Sequence, residues 1–577
     1  MPRPLLTASF GSSLWLALMV QSLVSSTATY KRPVNGGKRP GFLERTLILL
    51  DVHTRGPVKV LNENFLSLQL DPAIIKDGWL DFLSSRRLVT LARGLSPAYL
   101  RFGGKRTDFL RFHNLKNLAK VRGPGPDYYL KNYEDDIVRS DIALDKLKGC
   151  RVANHPSMML ELQREKAAQM QQTLLKEQQD NIYSDSTITA RSLDKLHNFA
   201  DCAGMQIVFG LNGLQRNPDC SWNSSNALSL LKYSASKKYN MTWELGNEPN
   251  GYPELGHRCV NGSLLAHDLQ TLRTLLQSVR FYSRTGLYGP NTGQPRKNSA
   301  QLLEGFLKHA GSMVDVITWQ HYYADRRVSK VDDFLKTRLL DTLNEQIIKV
   351  LKIVATHAPA KKVWLGGFGP AWAGGTNNLS DTFAASFLWL NTLGISALHG
   401  IDVVLRHSFF DYGYSHLVDQ HFNPLPDYWL SLLFKRLVGQ RVLSVQVAGL
   451  QRRPRPGRVI RDKLRIYAHC TSSRSQSYTR GSITIFISNL HRSRKKIKLA
   501  GSLRNRTVQQ YLLQPLGPEG LHSRSMLLNG EPLQLQDDDS LPELRPRTLR
   551  AGRTIAMPPT SIGFYVIKNI NAYACRR

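Results

Sequence analysis

Residues Trp243 to Asn250 read WELGNEPN, a short apolar strand that stops at the polar pair Asn247 and Glu248 and at a proline. Because Pro249 has no backbone N–H group, the strand cannot extend its hydrogen-bonding ladder far beyond Glu248. In a barrel of parallel strands, functional side chains lie at the carboxyl ends of the strands, where the loops form the mouth. The stretch therefore predicts a barrel strand that presents Glu248 at its mouth.

Seven further apolar runs of similar length alternate with amphipathic stretches, which is the pattern of βα units and a parallel sheet. One of the amphipathic stretches predicts a helix from Trp79 to Leu95. Eight strands and their helices predict an α/β fold of the (β/α)8 type, a TIM barrel. The eight runs are Phe65–Leu70, Ala98–Phe102, Gln206–Leu211, Met241–Leu245, Gly286–Tyr288, Asp315–Trp319, Lys362–Leu365 and Ile401–Leu405.

The barrel is predicted to span residues 61–437, with an insertion at about 108–189 that holds VRGPGPDYY and the Gln-rich ELQREKAAQMQQTLLKEQQD. Neither stretch has the pattern of a βα unit. From Val438 the apolar residues alternate with period two, as in Leu443–Val447, which predicts a C-terminal antiparallel β-sandwich over residues 438–577. Residues 29–60 are expected to add a strand to it through Thr46–Leu50.

The first 28 residues have the form of a secretory signal peptide: Arg3, an apolar stretch from Leu14 to Val24, and Ser26-Thr27-Ala28 as a cleavage site. We therefore expect a secreted protein without a membrane span. Five Asn-x-Ser/Thr sequons predict a glycoprotein, and six cysteines predict a few disulfide bonds made in an oxidising compartment. The sequon residues are Asn223, Asn240, Asn261, Asn378 and Asn505.

The formal net charge of +33 predicts a polyanionic partner. For a secreted chain that partner is a sulfated glycosaminoglycan rather than nucleic acid. Two basic segments stand out, with the residues Arg452, Arg453, Arg455, Arg458 and Arg492, Arg494, Lys495, Lys496, Lys498. The alternatives are a charge that only keeps the protein soluble, and basic side chains that protect sandwich edges from pairing.

A retaining glycosidase needs a second carboxyl group about 5 to 5.5 Å from the first, one to donate a proton and one to attack the sugar. A later strand and its loop read VWLGGFGPAWAGG, from Val363 to Gly375, and contain no carboxylate. Its glycines lack the Lys-Ser/Thr of a phosphate-binding loop, and no His-Glu-x-x-His or Cys-x-x-Cys spacing suggests a metal. We expect no cofactor.

The chain resembles the heparanase family over nearly the whole mature length. The resemblance is carried by NENFLSLQLD, YLRFGG, WNSSNALSLL, WELGNEPN, TWQHYY, LSDTFAASFLWL and NPLPDYWLSLLFKRLVG. It implies a (β/α)8 barrel with a β-sandwich and a retaining endo-β-glucuronidase site for heparan sulfate. It also implies that Glu248 matches the acid/base with Asn247 as its partner. Substrate contacts are implied for Asp71, Arg296, Lys297, Tyr322 and Arg327.

Several positions depart from the family pattern. Where the family has its nucleophilic Glu after Trp-Leu-Gly, this chain has Gly367. Gln320 replaces a histidine, Lys105 replaces a threonine, and Ser415 lies in a changed Gly-Asn-Tyr motif. These departures bring the chain closest to the non-catalytic members of the family. They imply binding of heparan sulfate and its proteoglycans without cleavage, at the cell surface and in the extracellular matrix, and inhibition of active heparanase by competition.

The resemblance further implies disulfides between Cys150 and Cys202 and between Cys470 and Cys575. For Cys220 and Cys259, a bond across the mouth and two free thiols both remain open. Active heparanase is matured by excision of a linker within the insertion. The matching segment here, Lys176–Asp180, has no bulky apolar residue for a protease subsite, so we expect the chain to stay in one piece with the insertion helix over the cleft.

Two other functions stay open from the sequence. One is a weakly active endo-β-glucuronidase that uses a different carboxylate or a water. Asp381 is the nearest acidic residue after Gly367, but it is expected to belong to the following helix and to point away from the mouth. The other is a matrix or receptor interaction protein that uses the barrel only as a scaffold.

Overall fold

The computed structural model describes residues 47–114, 142–145, 150–153, 155, 157–325, 328, 330–411, 413–448, 463–475 and 477–576. The expected signal peptide, Arg327 and the basic residues Arg452, Arg453, Arg455 and Arg458 lie outside these ranges. Residues Thr46–Arg577 form one compact unit, which contains all the elements below.

The strands of the first three quarters of the chain include all eight runs expected from the sequence. In chain order they are β1 (Leu47–Val52), β2 (Lys59–Val60), β3 (Leu66–Leu70), β4 (Ala98–Phe102), β5 (Leu110–His113), β6 (Ile142–Asp145), β7 (Cys150–Ala153), β8 (Ser186–Thr189), β9 (Met205–Leu211), β10 (Met241–Leu245), β11 (Leu287–Thr292), β12 (Val316–Ala324), β13 (Lys362–Ala371) and β14 (Val403–His407).

Eight of these strands close into a barrel in the order β3, β4, β9, β10, β11, β12, β13 and β14, with β14 pairing back to β3. Every pair in the ring is parallel. All carboxyl ends therefore point to one mouth, which confirms the predicted (β/α)8 fold.

The helices lie between the barrel strands and in the insertion. They are α1 (Ala73–Lys76), α2 (Arg86–Gly94), α3 (Ser157–Asp180), α4 (Ala190–Ala203), α5 (Ser225–Ser236), α6 (Gly262–Ser278), α7 (Lys297–Ala310), α8 (Val331–Phe334), α9 (Thr337–His357), α10 (Phe383–His399) and α11 (Pro426–Leu437). No helix within the described ranges is both long enough and apolar enough to cross a membrane.

The helix predicted from Trp79 to Leu95 is wrong as a single element. A 3-10 helix covers Trp79–Phe82, and α2 begins only at Arg86. Between them Ser85 has an extended ψ of 127°, and the carbonyl of Ser84 accepts a hydrogen bond from the N–H of Ala153 in β7. A strand of the insertion thus takes the backbone hydrogen bonds that a continuous helix would have used.

The remaining strands follow α11 directly and form two sheets. They are β15 (Val438–Leu443), β16 (Val445–Ala448), β17 (Leu464–Thr471), β18 (Ile483–Asn489), β19 (Lys495–Leu499), β20 (Val508–Pro515), β21 (Met526–Leu528), β22 (Glu531–Pro532), β23 (Arg547–Leu549), β24 (Ile555–Met557) and β25 (Ser561–Ile567). One sheet has the order β16-β1-β19-β24, and the other runs β2-β15-β17-β18-β25-β20-β21-β22 with β23 beside β20. The N-terminal strand β1 therefore belongs to the sandwich.

Helix α10 joins the barrel and the sandwich into one core. It is buried along almost its whole length, and Tyr467 of β17 donates a hydrogen bond of 2.9 Å to Asn391 at its centre. The same apolar cluster contains barrel residues such as Trp389 and sandwich residues such as Phe486 and Phe564. This shared core fixes the barrel mouth relative to the sandwich.

Three disulfide bonds link all six cysteines. Cys150 bonds to Cys202 and Cys470 to Cys575, the two pairs that the resemblance implies. Cys220 bonds to Cys259, with their Cα atoms 6.5 Å apart. Of the two alternatives that the sequence left open, a disulfide bond and two free thiols, the structure therefore contains the disulfide bond. This bond ties the loop after β9 to the loop after β10.

Candidate functional site

Glu248 stands at the end of β10 in a backbone conformation that is unusual for its residue type. Its φ of 47° and ψ of 59° are left-handed, and its N–H donates to the carbonyl of Asn291 at 3.0 Å. Such a conformation costs a non-glycine residue about 1 kcal/mol or more and persists only where neighbours enforce it. The turn directs the carboxyl of Glu248 into the mouth.

The environment of Glu248 favours a protonated carboxyl group. Burial raises its pKa above the ordinary value, while the positive charges of Lys105, Arg101 and Arg296 act in the opposite direction. A carboxyl group with a raised pKa is suited to donate a proton to a leaving oxygen. The raised pKa of Glu248 is thus a property that a general acid would need.

Asn247 is held by a buried polar network beneath the mouth. Its side-chain oxygen accepts from Arg101 Nη2 at 3.0 Å and from Gln320 Nε2 at 2.8 Å. Arg101 in turn pairs with Glu244 at 2.6 Å, and both side chains are 1% exposed. Glu244 also accepts from Thr318 at 2.8 Å. The network sets the rotamer of Asn247, so Asn247 is a preorganised group.

Asp108 supports the same strand end from the insertion side. Its carboxylate accepts from the N–H groups of Gly213 and Asn247 and from the hydroxyl of Tyr252, at 2.9 to 3.1 Å. Burial raises the pKa of Asp108 to about 6 in spite of these bonds and of the charge of Lys105. Asp108 is a positioning residue, because it acts on the backbone of Asn247.

Strand β13 presents no side chain at the matching position, Gly367, which lies within the strand and not at its end. Gly367 pairs in register with Gln320 of β12. A Cβ atom at Gly367 would lie 2.7 Å from Gln320 Oε1, 2.9 Å from Cδ and 3.1 Å from Cγ. Gln320 is 2% exposed, donates to Asn247 and accepts from the hydroxyl of Tyr322 at 3.0 Å. The side chain of Gln320 thus fills the space that a larger residue at Gly367 would need.

These groups surround a narrow cleft at the barrel mouth. Four of the residues expected at the site line it together: Asp71, Asn247, Glu248 and Tyr322. Arg296 and Lys297 are exposed at the start of α7, outside the lining, although the charge of Arg296 reaches Glu248. The expected contact Arg327 lies outside the described residues.

Other lining residues were not assigned a binding role from the sequence. They are Gln69, Gly104, Lys105, Gln178, Tyr183, Trp372, Ala373, Gly374 and His407. Most of them come from loops whose conformation no local pattern predicts. Lys105 had a usable signal, since it replaces a threonine of the family pattern directly after YLRFGG.

The insertion covers one side of the cleft. Gln178, in the last turn of α3, and Tyr183, just after it, line the cleft. Arg106 anchors this segment: its Nη2 donates to the carbonyl of Leu174 at 2.7 Å, and its guanidinium lies 5.4 Å from the centre of the Tyr183 ring. Lys76 adds an ion pair to Glu177 at 3.1 Å. The helix is therefore fastened over the mouth.

The predicted surface features are accessible where the structure describes them. Asn240, Asn261, Asn378 and Asn505 are exposed and Asn223 is partly exposed. In the second basic segment, Arg492, Arg494, Lys496 and Lys498 are exposed and Lys495 is partly so. Arg492 is paired with Asp332 at 2.7 Å.

The comparisons with known proteins agree with this architecture. A model of the glycosyl hydrolase family 79 N-terminal domain matches residues 154–394. The chain is 69% identical over 565 residues to inactive heparanase-2 of Homo sapiens, covering 98% of this chain and 95% of that protein. It is 43% identical over 527 residues to heparanase of Mus musculus, covering 91% of this chain and 94% of that protein.

Among solved structures, the GH51 arabinofuranosidase from Xanthomonas axonopodis pv. citri matches with a TM-score of 0.59 at 12% identity, covering 90% of this chain and 100% of that chain. At such low identity the likeness shows the fold alone. The sequence relatives show more: the chain belongs to the heparanase family and has an inactive heparanase-like glycoside hydrolase fold.

Proposed function

We propose that this chain is a secreted pseudoenzyme that binds heparan sulfate and heparin and modulates heparanase by competing for heparan sulfate. The observation that carries the proposal is the contrast between Glu248, which follows β10, and Gly367 of β13. Glu248 keeps the environment of a proton donor, whereas Gly367 offers no nucleophile and the adjoining space is taken by Gln320.

The loss at Gly367 removes the covalent step of a retaining mechanism. That mechanism needs one carboxyl group to protonate the leaving oxygen and a second one to attack the anomeric carbon. Glu248 alone supplies general acid assistance, worth about 10² to 10⁴ in rate, which is far below the acceleration of an efficient glycosidase. The cleft is therefore proposed to hold sugar without cutting it.

No other carboxylate in the described part of the cleft is free to replace the nucleophile. Asp71 accepts from the N–H of Ala73 at 2.9 Å and lies 3.7 Å from Arg106. Glu244 is committed to Arg101 and Thr318 below the cleft. Asp381 pairs with Arg524 of the sandwich at 3.2 Å and does not line the cleft. These contacts argue against a weakly active enzyme that uses a substitute carboxylate.

The basic residues of β19 support binding of a sulfated polymer. Protection of an exposed sheet edge does not account for them, because β19 is paired on both sides, with β1 and with β24. Sulfate groups, like phosphates, form charge-assisted hydrogen bonds with Arg and Lys and release counterions on binding. Exposed cations on a central strand are consistent with such a partner.

Secretion is supported by three further features. The relatives named above belong to a family whose substrate class, heparan sulfate, is extracellular. All six cysteines are in disulfides, as expected in an oxidising compartment. All five sequon asparagines are at least partly exposed, so each is accessible to glycosylation.

The deciding experiment is the chain length of heparan sulfate after long incubation with the purified protein. The natural chain and its Glu248→Gln variant are both expected to leave the length unchanged. Shortening by the natural chain and not by Glu248→Gln would contradict the proposal, because it would show turnover that depends on this site.

A gain-of-function series tests the role of Gly367. Gly367→Glu alone is expected to stay inactive, because the new side chain collides with Gln320. Gly367→Glu combined with Gln320→His, which restores the family residues at both positions, is the variant expected to cleave. Cleavage by the double variant that is abolished by adding Glu248→Gln would strongly support the lost-nucleophile interpretation.

Competition is tested separately with active heparanase and a limiting amount of heparan sulfate. We expect the natural chain to slow cleavage, and added heparan sulfate to relieve the inhibition. Inhibition that excess substrate does not relieve would indicate binding to the enzyme itself. No inhibition, together with no binding to immobilised heparin, would favour an interaction protein that uses the barrel as a scaffold.

A further inference from the structure

Two loops at one end of the sandwich carry four exposed arginines. One loop connects β19 to β20 and contains Arg504 and Arg506. The other connects β23 to β24 and contains Arg550 and Arg553. Both loops cross from one sheet of the sandwich to the other. We refer to the four residues as the arginine cluster.

The strand register brings these two loops side by side. Val508, at the start of β20, pairs with Leu549 at the end of β23. Ile497 of β19 pairs with Ile555 at the start of β24. The loops themselves approach closely, since a Cβ atom at Gly552 would lie 3.3 Å from Asn505 Oδ1. Residues about 45 positions apart in the sequence therefore form one surface.

Two lysines extend the cluster along β19. Ile497 and Leu499 are buried under the sheet, so the alternate residues Lys496 and Lys498 point outward and are exposed. Alternate residues of a strand are about 7 Å apart, so these two charges lie in a row that leads toward the loops. The surface thus combines six cations on two loops and one strand.

These cations have no acidic partners among the residues that the structure describes. Other exposed arginines of the sandwich do: Arg492 pairs with Asp332, and Arg545 pairs with Glu543. Arg506 donates only to the carbonyl of Asn569, at 3.0 Å. Asp51, whose carboxylate contacts the β19–β20 loop at Ser502, also accepts from the N–H of Val52. The positive charge of the cluster is therefore left for a ligand.

We propose that the arginine cluster, with Lys496 and Lys498, is a binding surface for a sulfated polysaccharide outside the barrel cleft. The inference rests on the proposed function and assigns it a second location. Guanidinium groups bind sulfate oxygens in a forked geometry, and several of them along a surface suit a repeating polyanion. The cleft is partly covered by the insertion helix α3, whereas this surface is open.

A sequon lies inside the cluster and affects the design of the test. Asn505 has a φ of 57°, a left-handed conformation that asparagine adopts more readily than glutamine. Thr507→Ala removes the sequon without straining this turn. All variants below are therefore made in a Thr507→Ala background, so that no glycan on Asn505 covers the arginines.

The test measures binding of the full chain to a heparin oligosaccharide over a range of salt concentrations. The main variant replaces Arg504, Arg506, Arg550 and Arg553 by Ala. Its matched control removes four exposed charges from barrel helices, at Lys308, Arg338, Lys349 and Lys352. Thermal unfolding of each variant checks that the fold is intact.

We expect the cluster variant to bind at least tenfold more weakly. The slope of its plot of log affinity against log salt should be shallower by about 3, because each of the four lost contacts removes roughly 0.7 to 0.9 from the slope. The control should keep both values close to those of the parent. Equal losses in both variants would overturn the proposal, because binding would then follow net charge alone. So would an unchanged affinity and slope in the cluster variant.

Two additional probes separate this inference from the proposed function. If the parent chain does not bind heparin at all, the proposed function itself is wrong. If the parent chain binds fully desulfated heparin as tightly as heparin, the surface does not recognise sulfate. If the cluster variant loses binding to vesicles of anionic phospholipid but keeps binding to heparin, the surface recognises phospholipid rather than sulfated polysaccharide.

Discussion

The ends of β10 and β13 meet at the same cleft, yet they differ in kind. At β10, Glu248 has a left-handed backbone conformation, and burial raises the pKa of its carboxyl group. The preceding residue, Asn247, is held by a hydrogen bond from its N–H to Asp108. At β13, Gly367 has no side chain and Gln320 occupies the adjoining space. The first strand thus presents a buried carboxyl group to the cleft, while in the second a neighbouring side chain fills the space beside a glycine.

The difference shows that two residues on adjacent strands, Gly367 of β13 and Gln320 of β12, shape this side of the cleft together. A glycine alone would leave a small gap, which costs stability in a close-packed interior. Gln320 fills this gap and makes two hydrogen bonds, to Asn247 and from Tyr322. The space beside Gly367 is therefore packed rather than empty.

The largest effect is expected from removing the ion pair beneath the β10 end. Arg101→Ala leaves the Glu244 carboxylate buried without its partner, and such a loss typically costs about 3 to 5 kcal/mol. Arg545→Ala breaks an exposed pair to Glu543 and should have little effect on stability. Urea unfolding measures both. Similar losses in the free energy of unfolding for the two variants would contradict the prediction that the buried pair matters more for stability than the exposed one.

A second prediction concerns pH and Asp108. Its folded pKa of about 6 lies above the ordinary value of 3.8, so the folded chain holds this proton more tightly than the unfolded chain. The resulting stabilisation is complete below pH 3.8 and is lost as the pH rises through about 6, a change of about 3 kcal/mol.

Asp108→Asn should remove that contribution from the pH profile of stability. The free energy of unfolding of the variant, measured from pH 4 to 8, is expected to fall less with rising pH than that of the natural chain. A difference between the two profiles that stays constant across this range would show that Asp108 keeps an ordinary pKa.

The packing beside Gly367 is tested by a double-mutant cycle. Gly367→Ala forces Gln320 to move and is expected to destabilise the fold by about 1 to 3 kcal/mol. In a Gln320→Ala background the added methyl group has room, so the same change should cost at least about 1 kcal/mol less. Gly305→Ala, where a Cβ has only an ordinary contact at 3.5 Å, serves as the additive control.

The smallest effect is expected at Lys105. Burial raises the pKa of Glu248, and the charge of Lys105 is the largest influence against it. Lys105→Ala should therefore raise the pKa of Glu248 further, by less than about one unit, in an NMR titration of the carboxyl carbon. Lys297→Ala removes an exposed charge nearby as the control, and an equal shift there would indicate a general charge effect.

The sequence predicted the barrel well because each strand is a continuous apolar run, and periodicity reports burial directly. The sequence-based prediction failed where backbone groups from a distant part of the chain take the hydrogen bonds of the predicted element. The predicted helix Trp79–Leu95 is interrupted because Ala153 of the insertion bonds to Ser84. The predicted strand Leu443–Val447 is divided at Ser444, since β15 and β16 pair in different sheets. Neither break has a local signal.

The candidate site divides in the same way. Glu248 was placed at its strand end by its motif, and Asp71 and Tyr322 followed from the resemblance. Gly367 was also expected at a strand end, but β13 continues to Ala371, so Gly367 lies within it. The network of Arg101 and Glu244 was not predicted, because a charged residue within an apolar strand reveals its partner only when the barrel closes. Gln320 was recognised as a departure, but its position in the space beside Gly367 was not.

The sequence by itself determined that eight strand units form a barrel, that one of them ends in a carboxyl group, and that its expected counterpart is a glycine. These facts depend on residue type and spacing, which the chain carries locally. Only the tertiary structure decided that Gln320 fills the space at Gly367, that α3 is fastened over the cleft, and that four arginines from two loops form one surface. Each of these depends on contacts between residues distant in sequence, which exist only once the barrel and the sandwich have packed together.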